Sequence, residues 1–455
     1  MGYNFRGYKP SQLLLLPPNL DDWLPQTHLG RFISDVVDAL DLKPFLRRHR
    51  DNGQGGAAFH PAMMLKVVLY AYCVGVPSSR KIAQAVIDDV AFRWLAANNR
   101  PDFRTIATFR RKYLENIKPL FLQVLLLCKQ AGMVRVGVVA LDGTKVAANA
   151  ALDRNRTWEK LSEQEKLLLA EVESLLGRAE ATDKAEDDRF GDDSGDGLPK
   201  VGTAKERLAL IRRAKAELEI QAKERAREQE AALKERVQEE QEAGKKKRGR
   251  KPKPPNDKVE DAAKANLTDP ESRIMKTRKG FIQGYNAQAV VSEDQIVVAC
   301  DVVQECNDVG QLVPMVEAAE VNLYEIGEEP GKVLADAGYC SEDNLESMAR
   351  PGAPDPYIAV KKDHKQRAEV EPAPRGRPPK GLTRRQQMER KLRTKAGKAM
   401  YKLRGQIVEA VFGQIKDCRR LGRFLLRGLA KVKGEFERCL THNLLKLYRC
   451  GLAAG

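Results

Sequence analysis

The spacing of hydrophobic residues changes character near residue 136. Before that point apolar side chains recur at helical intervals, as at Phe32, Val36 and Leu40. This spacing predicts an all-helical N-terminal domain over residues 1–135. From Val136 onwards short β-branched runs replace the helical periodicity, so a domain of another class is expected to begin there.

Five short runs rich in branched residues predict β-strands. They cover residues 136–141, 280–291, 295–303, 332–335 and 356–360. Helical patterns lie between or after them, at residues 311–325, 342–349, 398–416 and 432–448. Strands alternating with helices indicate an α/β domain, here built from residues 136–156 and 266–455.

A long polar segment, residues 157–265, interrupts the predicted α/β domain. Residues 203–243 are rich in Glu, Lys, Arg and Ala, a composition that favours a long helix, whereas residues 187–199 are acidic and contain glycine. The pattern predicts a charged helical hairpin inserted into the domain, and a disordered linker is the alternative. Trp158, at the start of the segment, is either an apolar anchor for the hairpin or an aromatic surface for stacking on a nucleic-acid base.

The charge balance adds an expectation about the partner. The chain has 79 Lys and Arg against 63 Asp and Glu, a formal net charge of +16. Such an excess favours a nucleic-acid partner, because basic side chains release counterions from phosphates, although it can also serve solubility alone. Eight scattered cysteines without a C-x-x-C pair exclude a zinc ribbon. With no signal peptide and no apolar run long enough to cross a membrane, we expect a cytoplasmic protein with reduced thiols, associated with the nucleoid.

Basic residues are concentrated in three places. A helix starting near Thr105 is predicted to carry Arg110 and Arg111 on its exposed side. With the preceding helix, predicted over residues 80–97, it forms either a helix-turn-helix unit that enters a major groove or part of an ordinary helical bundle. Two Arg-Gly-Arg sequences flanked by proline and lysine resemble AT-hooks that enter a minor groove, or are flexible basic linkers. Their arginines are Arg248, Arg250, Arg375 and Arg377.

Three acidic residues stand where they could meet. Asp142 and Asp336 each follow a predicted strand and precede small residues, which places them at the edge of a sheet or, alternatively, in turns or at helix N-caps. Glu409 shares one face of the helix at 398–416 with Lys416, and a solvent-exposed pair is the alternative. The rival acids are Asp153, Asp269 and Asp301.

Converging carboxylates suit one class of chemistry. Cleavage of a phosphodiester by two divalent ions, which lie about 3.5–4 Å apart, needs several hard oxygen ligands from distant parts of a chain. Asp142, Asp336 and Glu409 are the candidates for such ligands.

Several segments together carry a resemblance to a known family. They are Leu141–Asn149, Thr268–Lys276, Gly280–Gln288, Ala335–Tyr339, Val408–Lys416 and Arg423–Gly428. In this order and over nearly the whole chain they resemble bacterial insertion-sequence transposases of the DDE class.

The resemblance implies that the chain is of the α/β class. Its RNase H-like mixed-sheet catalytic domain would be interrupted by the charged helical insertion and preceded by the all-helical N-terminal domain. In an RNase H-like sheet the first and fourth strands are neighbours, which favours Asp142 with Asp336.

The resemblance also implies an activity. Asp142, Asp336 and Glu409 would be catalytic, with two Mg²⁺ or Mn²⁺ ions, and Tyr401, Arg404 and Lys416 would hold phosphates of the DNA end. Four residues separate Arg404 from Glu409, where the common pattern has three.

The partners implied are double-stranded DNA, as terminal inverted repeats and target, and a second copy of the chain. The alternatives are a transposase-derived DNA-binding regulator that no longer cleaves, and an RNase H-like nuclease that does not transpose.

Overall fold

The computed structural model describes residues 19–47, 57–190, 199–242, 244–246, 253–361, 373–374, 376–379 and 381–454. Its centre is a six-stranded mixed sheet, and a separate two-stranded sheet lies beside it. The strands among the described residues are β1 (Val139–Ala147), β2 (Asn155–Thr157), β3 (Lys264–Asn266), β4 (Arg273–Thr277), β5 (Gly280–Ser292), β6 (Val297–Val303), β7 (Lys332–Ala335) and β8 (Asp355–Ile358).

The long strand β5 organises the sheet. It pairs antiparallel with β1 on one edge, and with β4 and then β6 on the other. Beyond β1, strands β7 and β8 follow in parallel. This mixed order is compatible with an RNase H-like domain, and the strands that carry Asp142 and Asp336 are neighbours.

Strand β1 is longer than its hydrophobic run. Its pairing with β5 continues from Val139 to Ala147, so Asp142 lies in the middle of the strand. The prediction that the strand ends at Asp142 is therefore wrong. The physical reason is the length of β5, which supplies backbone partners past the last branched residue of β1 and lets polar residues such as Thr144 and Lys145 stay in the ladder.

Helices cover the sheet. From Gln283 to Ser292, β5 is buried at every position, as expected for a central strand covered on both faces. In chain order after the insertion, the helices are Leu312–Glu325, Glu342–Ser347, Arg384–Arg393, Lys395–Arg404, Ala410–Gly413, Leu429–Phe436 and Leu440–Ala454.

The described N-terminal part is helical. Its helices are Leu20–Trp23, Leu29–Ala39, Lys43–Leu46, Pro61–Cys73, Ser79–Asp88, Val90–Leu95, Phe103–Lys112 and Ile117–Gln130. The predicted single helix at 80–97 is two helices. Asp89 has an extended backbone, and its carboxylate accepts the N–H groups of Ala91 and Phe92, so it ends one helix and caps the next. One hydrophobic core continues from these helices into the sheet.

The inserted segment forms two paired helices, Trp158–Phe190 and Pro199–Glu242. The short β2–β3 ladder closes their base. They have a small core of their own, separate from the main one, against which Trp158 packs as an anchor. Across the pair, Glu165 accepts from Arg212 and Lys215 at 3.1 and 2.8 Å.

Candidate active site

Asp142 lies half-buried on β1, beside the neighbouring strand that leads to Asp336. In the parallel register Ala140 pairs with Leu334, and two residues further along each strand stand Asp142 and Asp336. Burial raises the pKa of Asp142 to about 6, and the negative charges of Asp336 and Asp308 add to the effect, against the opposing charge of Arg404. The two acids are therefore close enough for the charge on one to oppose ionisation of the other.

Asp336 is held by the turn that follows β7. Its carboxylate caps the short 3₁₀ turn Ala337–Tyr339, accepting the N–H of Gly338 at 2.8 Å. The alternative interpretation of this residue as an N-cap is thus correct, and it is compatible with a place in the site. The cap fixes the carboxylate at the sheet edge beside Asp142.

Glu409 reaches the same place from a helix that runs over residues 395–418. Arg404 joins the two, because its guanidinium is 3.1 Å from an oxygen of Asp142 and 3.1 Å from an oxygen of Glu409. The side chain of Arg404 is only 7% exposed, whereas that of Glu409 is 55% exposed. The ring of Tyr401 lies under the guanidinium, 5.9 Å from its carbon. The structure therefore brings Asp142, Glu409, Arg404 and Tyr401 together.

The extra residue between Arg404 and Glu409 is absorbed by a π-helical turn. Residues Gly405–Glu409 form this turn, in which hydrogen bonds join residues five apart. Residue i+5 then lies over residue i, as residue i+4 does in an α-helix. The unusual spacing therefore leaves Arg404 next to Glu409, and the departure from the common pattern does not displace Arg404.

Lys416 is bound to β1 two residues beyond Asp142. Its ammonium donates to the hydroxyl of Thr144 at 3.0 Å and to the carbonyl of Lys145 at 3.2 Å. Burial lowers the pKa of Lys416, with Asp417 opposing the shift. A second π turn, Gln414–Cys418, carries this lysine at the end of the helix.

A fourth acid, Asp308, belongs to the site and was not predicted. One oxygen of its carboxylate accepts from Asn286 at 2.7 Å, Gln288 at 2.8 Å and Lys145 at 3.2 Å. It lies in a loop, five residues after β6, so no strand pattern pointed to it. The signal that could have found it is the pair of polar residues Asn286 and Gln288 on a buried strand, since buried amides require partners.

Two glycines make room for this arrangement. A Cβ at Gly143 would lie 2.4 Å from the amide nitrogen of Gln288 and 2.8 Å from an oxygen of Asp308. One at Gly338 would lie 2.9 Å from an oxygen of Asp336. Neighbouring side chains therefore approach so closely that a side chain at Gly143 or Gly338 would collide with them.

The rival acids have other partners. Asp269 is fully buried and accepts from the hydroxyl of Tyr285 and the N–H of Gly428. Burial raises the pKa of Asp269. Asp301 pairs with Lys433 at 2.8 Å, and Asp153 is exposed in a 3₁₀ turn. The contacts of Asp269 and Asp301 thus serve the packing of the fold, and Asp153 lies on the surface.

The carboxylates of Asp142, Asp336 and Glu409 are of the chemical type that binds a divalent cation. Mg²⁺ prefers carboxylate oxygens as ligands. Burial raises the pKa of Asp142, and the charges of Asp336 and Asp308, which add to this effect, are charges that such an ion would neutralise. Among the described residues, no group of three or more Asp, Glu, His or Cys side chains is arranged to hold one ion in this conformation. Here the guanidinium of Arg404 supplies the positive charge between Asp142 and Glu409.

The other basic residues singled out in the sequence lie elsewhere. Arg110 was expected on an exposed helix face, and that expectation is wrong, since it is 4% exposed and bound to Tyr72, Pro77 and Ser79. Arg111 and Arg377 are exposed. Arg248, Arg250 and Arg375 lie outside the described residues.

Two family matches cover about two thirds of the chain. Residues 18–112 match the transposase domain DUF772, and residues 236–444 match the transposase DDE domain. The second match contains Asp336 and Glu409. The comparison found no matching protein of curated function and no matching solved structure. In the described part of the chain, no helix is long and apolar enough to cross a membrane.

Membership of a transposase family implies that the binding partner is DNA and that the activity is of the nuclease or transposition kind. The chain belongs to the insertion-sequence transposases of the DDE class.

Proposed function

We propose that this transposase cleaves DNA at the ends of its insertion sequence and joins the freed 3′-hydroxyl groups to target DNA. The observation that carries the proposal is the contact of Arg404 with both Asp142 and Glu409. Asp336 follows the strand that pairs with β1, and its negative charge acts on Asp142. The three acids come from three distant segments of the chain.

Asp142, Asp336 and Glu409 would hold two Mg²⁺ or Mn²⁺ ions. When bound, such ions activate the attacking oxygen and stabilise the leaving oxygen of a phosphodiester. The protein's part is to place three carboxylates on rigid supports, one on β1, one in the turn that follows β7 and one on a helix. Before ions bind, Arg404 keeps two of these carboxylates in position and lowers the repulsion between them.

Lys416 and Tyr401 supply contacts for the DNA end. The ammonium of Lys416 uses two donors on Thr144 and Lys145, which leaves its third for a phosphate oxygen beside Asp142. Tyr401, on the same helix as Glu409, offers a hydroxyl and an aromatic face next to Arg404. Because two ends of one element must be held for joining, the working unit is proposed to be a homodimer.

The test is cleavage of a duplex that carries the end of the insertion sequence and its flanking DNA, with Mg²⁺ or Mn²⁺. Wild type is compared with Asp142→Asn, Asp336→Asn and Glu409→Gln, and end binding is measured in parallel. We expect each variant to bind the end and to lose cleavage by a factor of about 10³ or more, because a ligand that remains in shape but loses its charge no longer serves the ions.

Asp301→Asn is the matched control, since it removes an equal charge from β6, which pairs with β5 and not with β1. Cleavage by any of the three site variants at the wild-type rate would remove that acid from the site. Wild-type protein that binds the end but never cleaves with either ion would identify the chain as a DNA-binding regulator. Cleavage without joining to target DNA would identify it as a nuclease.

A further inference from the structure

A groove lined by arginines lies beyond the active site, between the catalytic sheet and the inserted helices. Its walls come from the chain just after β1, the segment at residues 421–428 and the second inserted helix. The residues that matter for its chemistry are Asn149, Arg154, Leu210, Thr268, Arg423 and Arg427.

The groove has positive charge without compensation. Arg154, Arg423 and Arg427 are exposed, and none of the described residues that line the groove is acidic. Within the described part of the chain, these three arginines form no ion pair, unlike Arg213 nearby, which lies 3.6 Å from Glu271. Arg427 donates only its Nε to a backbone carbonyl, that of Asn149, at 3.0 Å. Its terminal nitrogens remain available to a ligand.

Backbone hydrogen bonds fix the groove relative to the catalytic acids. The N–H of Phe424 donates to the carbonyl of Ala147 at 2.8 Å, and the side-chain amide of Asn149 donates to the carbonyl of Leu425 at 2.8 Å. Arg423 is thereby paired with Ala147, at the end of β1. The segment that carries Arg423 and Arg427 is thus held against the end of the strand that carries Asp142. Lys416 is bound to the same strand at Thr144 and Lys145, between Asp142 and Ala147.

The distance from Asp142 to Ala147 along β1 can be compared with the rise of duplex DNA. Ala147 stands five residues beyond Asp142 on β1, and at roughly 3.3 Å per residue the two are about 17 Å apart. Duplex DNA rises about 3.4 Å per base pair, so on a duplex that follows β1 the same length corresponds to about five base pairs.

We propose that this groove, formed by Arg154, Arg423 and Arg427, binds backbone phosphates about five base pairs inside the cleaved end. Arginine forks match phosphate oxygens in pairs, and three of them around one polar groove suit a sugar–phosphate backbone. The inference rests on the proposed function, because it assumes that a DNA end lies at Asp142. It also gives a role to the segment Arg423–Gly428, which the active site leaves unexplained.

The test measures binding of the full chain to the end duplex over a range of salt, with Ca²⁺ in place of the catalytic ions. Arg154→Gln, Arg423→Gln and Arg427→Gln are compared with wild type. Each phosphate contact that is lost should lower the slope of log K against log salt by about 0.9. Arg135→Gln is the matched control, because it removes the same charge near the opposite end of β1, where Arg135 pairs with Asp294. Equal thermal unfolding of all variants shows that they fold.

A second arm locates the contact. Duplexes with single neutral methylphosphonates at successive positions are bound to wild type and to Arg423→Gln. A penalty about five base pairs from the cleavage point that is present with wild type and absent with Arg423→Gln supports the proposal. Equal penalties in both proteins, or salt slopes unchanged in all three variants, overturn it while leaving cleavage by the acids intact. A chain that binds no end at all overturns this inference together with the proposed function.

Discussion

At the scale of single residues, the candidate site includes an acid, Asp308, that is not one of the three proposed catalytic acids. Asp308 collects three donors from β1 and β5, and its charge helps to raise the pKa of Asp142. The carboxylate of Asp308 also lies close to Gly143, which follows Asp142, and to Gly338, two residues after Asp336. These contacts make Asp308 a positioning residue, which fixes the side chains around the carboxylates.

We expect Asp308→Asn to lower the turnover of end cleavage about 10–100-fold, as for other partners that orient ligands, with end binding changed less than twofold. The charge of Asp308 disfavours ionisation of Asp142, so its removal lowers the pKa of Asp142. Cleavage needs the ionised carboxylate and is lost as the pH falls through that pKa, about 6 in the wild type. The acid limb of the pH–rate profile should therefore move to lower pH.

Asp301→Asn serves as the control here too, because Asp301 lies on β6 and pairs with Lys433. It should leave both turnover and the acid limb in place. An Asp308→Asn enzyme with wild-type turnover, or with reduced turnover and an unmoved acid limb, would contradict the assignment of Asp308 as a positioning residue.

At the scale of elements, the helix of residues 395–418 shows how a local irregularity preserves a site. Its π turn at Gly405–Glu409 holds one residue more than an α-helical turn would need. Ile407 and Val408 of that turn are buried, and Gln406 is exposed. The extra residue therefore sits where it can be removed without loss of a core side chain.

We expect deletion of Gln406 to be tolerated. The turn would become α-helical, Arg404 and Glu409 would stand four apart instead of five, and the two would still be neighbours on the helix surface. Cleavage of the end duplex should stay within about tenfold of wild type, since the geometry of the acids is kept. The lost contact is the one from the side chain of Gln295 to the carbonyl of Gln406.

Deletion of Ala410 is the comparison for this prediction. It removes one residue on the other side of Glu409, leaves the π-turn spacing in place, and turns Glu409 relative to Lys416. Cleavage should fall far more than with the Gln406 deletion. If the Gln406 deletion abolished cleavage while circular dichroism showed a folded protein, the account of the π turn would be incorrect.

At the scale of the whole molecule, a buried polar cluster ties the N-terminal helices to the catalytic part. The hydroxyl of Tyr72 accepts from Arg110 and, at 2.7 Å, from Arg438. Arg438 also donates to the carbonyl of Arg110 at 3.1 Å, and Glu435 lies 3.6 Å from Arg110. All four side chains are buried, and two come from each part of the chain.

We expect Arg110→Ala to lower the free energy of unfolding by about 3–5 kcal/mol, because it leaves Glu435 buried without its cation. Arg111→Ala, one residue further along the same helix, should change it by less than about 0.5 kcal/mol, since Arg111 is exposed. Urea denaturation followed by circular dichroism measures both. Equal effects of the two substitutions would be evidence against the cluster as a link between the two parts.

The sequence alone determined the order of the elements, and it singled out Asp142, Asp336 and Glu409 as the proposed acids. Branched runs located the core strands, including β7 at Lys332–Ala335, because a strand buried on both faces needs continuous apolar side chains. The spacing of the motifs identified the family. The Glu-, Lys-, Arg- and Ala-rich composition of the insertion predicted a helical hairpin, since such a composition has few other ordered forms.

Only the tertiary structure decided how far β1 extends, because the backbone partners that prolong it belong to β5, more than a hundred residues away. It also decided that Arg110 is buried, since a basic residue turns inward only when Tyr72 and Glu435 from other segments are there to meet it. The place of Asp308 is of the same kind. Its three partners come from β1 and β5, which are far apart in the sequence, so the local spacing of residues could not predict that these strands pair.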